Sequence, residues 1–277
     1  MKAIKSLFAF SSLALLAACG PGKTTDENAA EQNTQAADLK VSLADVPQSP
    51  EFPGATLTLN NVTATPQGND SVKLKFDFGV SNYELKAQTD DAGNKMCANS
   101  KEGQHIHFIL DNAPYIALYE PKHEVVVAKN TEHYLLCFLS RSYHESLKNK
   151  EAAILTHFRV DENGQYQKLD APSAPMLFYS RPKGDYLGSD TANVLLDFYP
   201  WNTQLGNDYS VKAVVTNNTT GATGTFTLNE WKPAFIQNLG TGKCSVTLTL
   251  VDNQGNPVNG PNTTITRDIT LAGKEPM

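Results

Sequence analysis

Val72-Lys73-Leu74-Lys75-Phe76-Asp77-Phe78 alternates apolar with polar residues along its whole length. Successive side chains of an extended chain point to opposite faces, so Val72, Leu74, Phe76 and Phe78 share one face and the charged residues take the other. That is the pattern of a half-buried β-strand. Ala55-Thr56-Leu57-Thr58-Leu59 carries the same alternation just upstream. Working outward, residues 105–110, 116–119, 124–127, 134–139 and 154–160 are further strand candidates. Residues 143–153, rich in Glu, Leu, Lys and Ala, predict the one short helix.

The strand pattern halts at Asp170-Ala171-Pro172-Ser173-Ala174-Pro175, where two prolines lack the N–H donors a continuing strand needs. It restarts at residues 194–199, 209–215, 223–228, 245–251 and 264–271, between turn clusters such as Asn217-Asn218-Thr219-Thr220-Gly221. Many short strands with Gly, Pro and Asn turns predict an all-β fold of two tandem antiparallel Ig-like β-sandwiches. The expected units are residues 41–172 and 173–277, separable at the proline run because few contacts should cross it.

The 277 residues are 40% hydrophobic, which supports a buried core and excludes a wholly disordered chain. Acidic residues outnumber basic ones 29 to 23, so a nucleic-acid backbone is not an expected partner. Lys2 and Lys5 precede a short apolar run at residues 7–18, too short to span a bilayer, and residues 1–18 are read as a signal peptide. The run ends in Leu16-Ala17-Ala18-Cys19, which resembles the bacterial lipobox and implies that Cys19 is lipidated and becomes the mature N-terminus. Gly20 in place of Asp implies, by resemblance to the enterobacterial sorting pattern, the outer membrane. The expected localisation is the bacterial cell envelope, with the membrane as a partner through the Cys19 lipid. Residues 19–40 are polar and aperiodic, and are read as a flexible tether.

Cys97, Cys137 and Cys244 remain once Cys19 carries lipid. Export permits a Cys97–Cys137 disulfide; Cys137 and Cys244 as small buried hydrophobes is the alternative.

The six histidines lie between residues 105 and 157. Gly103-Gln104-His105-Ile106-His107-Phe108 places His105 and His107 at i and i+2 of a strand, on one face about 6.5–7 Å apart. Two imidazoles so placed converge on a Cu or Zn ion when a third ligand arrives from a neighbouring element, and His144, just after a strand, is the candidate. The alternative is a solvated polar face opposite Ile106, Phe108 and Leu110. The same stretch resembles the copper-zinc superoxide dismutase signature in Gly103, His105, His107 and Asp111. Leu110 replaces that family's small residue, and no His follows His157 to complete its copper site, so the enzyme is not expected.

Ser140-Arg141-Ser142-Tyr143-His144 is similar to the Ser-Arg-x-His element of forkhead-associated domains, and implies phosphopeptide-type binding at Ser140, Arg141 and Ser142. The Gly-Arg pair of that family is missing. Residues 82–85, 97–100, 105–115 and 139–147 resemble uncharacterised bacterial envelope lipoproteins sometimes labelled phosphopeptide-binding. No Gly-x-Ser-x-Gly elbow, phosphate loop or His-Glu-x-x-His helix occurs. Trp201, Trp231, Tyr199 and Phe235 are read as packing residues rather than a ligand platform. The functional expectation is a lipid-anchored envelope binding or scaffold protein without catalytic activity, its protein or peptide ligand unknown. The alternatives are copper or zinc binding at the His-x-His strand and phosphopeptide-type binding.

Overall fold

The computed structural model describes residues 40–274, and the signal-peptide and Cys19 assignments fall outside them. The strands are β1 (Ser42–Asp45), β2 (Thr56–Gln67), β3 (Ser71–Ser81), β4 (His105–Leu110), β5 (Ile116–Leu118), β6 (Lys122–Ala128), β7 (Thr131–Ser140), β8 (Ala153–Val160) and β9 (Tyr166–Lys168). After the proline run come β10 (Met176–Arg181), β11 (Gly184–Leu187), β12 (Val194–Trp201), β13 (Tyr209–Asn217), β14 (Thr223–Leu228), β15 (Ala234–Gln237), β16 (Gly242–Asp252) and β17 (Thr264–Ala272). The all-β expectation holds: these strands build tandem β-sandwiches, with no α-helix among the described residues.

In the first sandwich, sheet β2-β3-β6 faces sheet β5-β4-β7-β8-β9. Between them lie Leu57, Leu74, Phe76, Phe78, Ile106, Phe108, Leu135, Cys137 and Phe158. In the second, sheet β1-β15-β12-β10 faces sheet β11-β17-β16-β13-β14 over Leu177, Tyr179, Leu196, Phe198, Ala213, Val246 and Leu248. The pairings are antiparallel except β11 with β17, which is parallel. The expected boundary needs correcting at its N-terminal end. Residues 42–45 do not join the first sandwich but pair with β15 of the second, so the chain threads the second sandwich before and after building the first.

Four strands are buried on both faces. β4, β7, β10 and β12 each send alternate residues into their own sandwich core and the rest outward, where Ile109, Leu136, Phe138, Met176, Phe178 and Tyr199 form a third core between the sandwiches. This explains the near-continuous apolar runs Leu135-Leu136-Cys137-Phe138-Leu139 and Met176-Leu177-Phe178-Tyr179, because a strand with no solvent face has no reason to alternate. Trp231 donates Nε1–H to Phe198 O and packs edge-on against Tyr199, so the aromatic group packs as expected.

The expected helix at residues 143–153 is absent. Leu147 N donates to Leu139 O at 3.0 Å and Arg141 N to Glu145 O at 2.9 Å, so the chain doubles back along the end of β7. Buried Tyr143, Leu147 and Ala152 hold it there, and tertiary packing overrides the weak helical preference.

Candidate metal centre

β4 positions two of the three expected ligands. Its extended backbone puts His105 and His107 on the face opposite Ile106 and Phe108, as the period of two requires. That face is not solvated as the alternative reading supposed. Both histidines are fully buried, His107 against Phe138 and Tyr115 and within reach of Ser180 on β10. His144 comes from the tight turn after β7, with its N–H donating to Arg141 O and its φ at +69°. A positive φ is uncommon for a residue with a Cβ; here it swings the imidazole toward β4.

The ligating nitrogens of His105, His107 and His144 lie within 4.8 Å of one another. His105 Nε2 is 3.0 Å from His107 Nε2 and 3.1 Å from His144 Nδ1. The outer nitrogens are also held. His105 Nδ1 is 2.7 Å from the Gly103 carbonyl, which can only accept, so Nδ1 carries the proton and Nε2 presents a lone pair. His107 Nδ1 lies 3.1 Å from Ser180 Oγ. Such outer contacts fix ring orientation and tautomer at metal-binding histidines. Gly103 is required by its own geometry: φ is +86°, and a Cβ there would collide with the Lys86 and Ala87 carbonyl oxygens.

Burial pushes the His105 imidazole down to about 4, and the charges of Arg181 and Lys183 act in the same direction. Burial holds His107 and His144 well below the usual value too, with the neighbouring histidines and the two cations adding to it. All three are therefore neutral near pH 7, the form in which imidazole binds a metal. The donor set of three neutral imidazoles suits copper or zinc.

The other candidates part company with this cluster. Asp111, the acid of the dismutase-like stretch, bonds His133 Nδ1 at 2.7 Å and accepts from Tyr134 N. His157 bonds Glu132. Ser140, Arg141 and Ser142 are buried. Arg141 gives its guanidinium hydrogens to Glu145, Ser146 O and Pro50 O, while Ser142 exchanges hydrogen bonds with Thr89. Most of the donors of these residues are thus committed within the fold. Cys97, Cys137 and Cys244 are all unpaired thiols, so the Cys97–Cys137 bridge is absent and Cys137 and Cys244 are buried.

Tyr115, Ser180, Arg181 and Lys183 border the site, and no motif in the sequence marks them. Ser180 stands 73 positions from His107, and no local pattern links residues so far apart.

No protein-family model matches the chain, and no curated protein matches it in sequence. Among solved structures, it is similar to the fibronectin(III)-like modules of Clostridium thermocellum CbhA at 10% identity, over 80% of this chain and 97% of that one, with a TM-score of 0.27. It is similar to chicken CNTN1 FN1-FN3 domains at 10% identity, over 80% of this chain and 67% of that one, with a TM-score of 0.26. For the chicken interferon gamma receptor alpha chain the values are 10%, 78%, 98% and 0.24.

Proposed function

We propose that the chain is a non-catalytic binding protein of the bacterial envelope whose ligand is a copper or zinc ion, held by His105, His107 and His144. A β-sandwich fold of this kind is consistent with a binding or scaffold role. The observation that carries the metal reading is the convergence of three imidazole nitrogens within 4.8 Å at the seam between the sandwiches. Scaffolding alone gives no reason for it. Buried polar groups are costly unless partnered, and apolar side chains would fill the same seam at lower cost. When His107 donates its Nδ1 proton to Ser180, two lone pairs face each other at 3.0 Å, an arrangement a cation relieves. Three histidine ligands leave a coordination position for a further donor. Tethering at the outer membrane through Cys19 belongs to the same proposal.

Calorimetric titration of the tag-free full-length chain with Cu(II) and Zn(II) near neutral pH should give one ion per chain. The His144→Gly variant, which keeps the positive φ unstrained, should lose more affinity than the roughly 10–100-fold that losing an outer-shell contact costs. Equal affinity in the variant, or no saturable binding in the parent, ends this reading. The anchor has its own test: Cys19→Ser should release the protein from membranes on fractionation, and full retention would refute lipidation.

A further inference from the structure

We propose that Tyr115 supplies a fourth donor to this same centre, as a phenolate whose counter-charge is the buried guanidinium of Arg181. The inference rests on the metal reading above and extends its ligand set.

Tyr115 lies between β4 and β5, beyond Asp111 and Asn112, which both have positive φ. Its hydroxyl oxygen is 3.1 Å from His144 Nδ1, as close as the imidazole nitrogens are to one another. The ring is fixed in place. It stacks on His107 with centroids 3.6 Å apart and planes 6° from parallel. Lys183 Nζ stands over it at 4.3 Å and donates to the Tyr115 carbonyl.

Arg181 is the second, independent observation. It is 7% exposed and forms no ion pair among the described residues. Its Nη1 donates to Lys183 O and to the Tyr186 hydroxyl, and its Nε has no partner. A buried cation without an anion is costly. The guanidinium carbon lies 5.4 Å from the Tyr115 ring centroid, so a phenolate there supplies the missing negative charge. It also offsets the repulsion that Arg181 and Lys183 impose on an incoming metal ion. The charge of a coordinated ion favours the ionised phenol at such a position. Tyr119 is the other phenol nearby, with its ring 5.1 Å from His105, but its hydroxyl is engaged by Ser100 Oγ at 2.6 Å. On binding, the Tyr115 O–H bond breaks, its electron pair passes to the metal ion and the proton leaves to solvent. No oxidation state changes.

The test is the visible absorption of the full-length chain loaded with one equivalent of Cu(II). A phenolate-to-copper(II) charge-transfer band is expected in the parent and in Tyr119→Phe. Tyr115→Phe, which keeps the stacked ring, should lose the band and bind copper more weakly than the parent, with an unchanged circular dichroism spectrum. Bound copper without the band in the parent, or a band that survives in Tyr115→Phe, overturns the assignment while leaving the three-histidine site standing. Failure of copper to bind at all removes both.

Discussion

His105 shows at the residue scale how burial shapes the site's chemistry. Its imidazole is held down to about 4 in the folded protein, against an ordinary value of 6.5, chiefly because charging it would strand a cation away from water. Between those two values the unfolded chain binds a proton that the native state refuses. Stability of the metal-free protein must therefore fall as pH drops from about 6.5 toward 4. At about 1.4 kcal/mol per unit, His105 alone contributes about 3 kcal/mol to that loss. Urea unfolding of the metal-free parent and of His105→Gln across this range should show their stability difference shrinking with acid by about that amount. A difference that stays constant would mean that His105 titrates normally in the fold. The pairing of His105 with His107 is legible in sequence, because period-two geometry is local. Tyr115 and Arg181 are not, because their importance comes from the imidazoles that folding brings to them.

At the scale of elements, the longer strands are legible in sequence whether or not they have a wet face: doubly buried β4, β7 and β12 contain the expected 105–110, 134–139 and 194–199 stretches. β14 runs over Thr223–Leu228, as its alternation predicts, and β3 extends the predicted Val72 to Phe78 stretch by a few residues at its ends. β10, Met176–Arg181, directly follows the Pro172–Pro175 break and shows no period of its own, so the break is legible there and the strand is not. β1 and β15 are four residues each, too short for any period to register, and they are strands because they pair with each other. The turn carrying His144 reads as helix by composition. Its path is set instead by backbone hydrogen bonds to the end of β7 and by Ser146, whose N–H and hydroxyl both bond Asp197 on β12.

The whole molecule is held by its seam. Asp197 is fully buried between the sandwiches and meets Lys148 Nζ at 2.7 Å. The Asn112 side chain bonds the backbone of β10 at Leu177 O and Tyr179 N, and Arg267 of the second sandwich donates to Asn112 O. A cut at the proline run would expose the third core, leave Asp197 without its cation and carry β1 away from β15. Residues 41–172 and 176–277, expressed separately, should each lose cooperative unfolding or solubility, and the first should lose metal affinity as His107 loses Ser180. Two fragments that each melt cooperatively at the temperature of the intact chain would show the sandwiches to be independent, as the proline run alone predicts.

The all-β class, the tandem sandwiches, most strand positions and the shared face of His105 and His107 are all legible in the residue pattern. Each of these follows from alternation, turn chemistry or spacing within a few residues, which the backbone period converts directly into geometry. Tertiary packing is what buries this face, brings the imidazole of His144, the third ligand expected from sequence, within 3.1 Å of His105, and sets Tyr115 and Arg181 beside it. Those facts depend on β4 pairing with β7 and packing against β10 across the seam. Contacts between residues tens of positions apart leave no periodic trace, because either strand would look the same in sequence with a different neighbour.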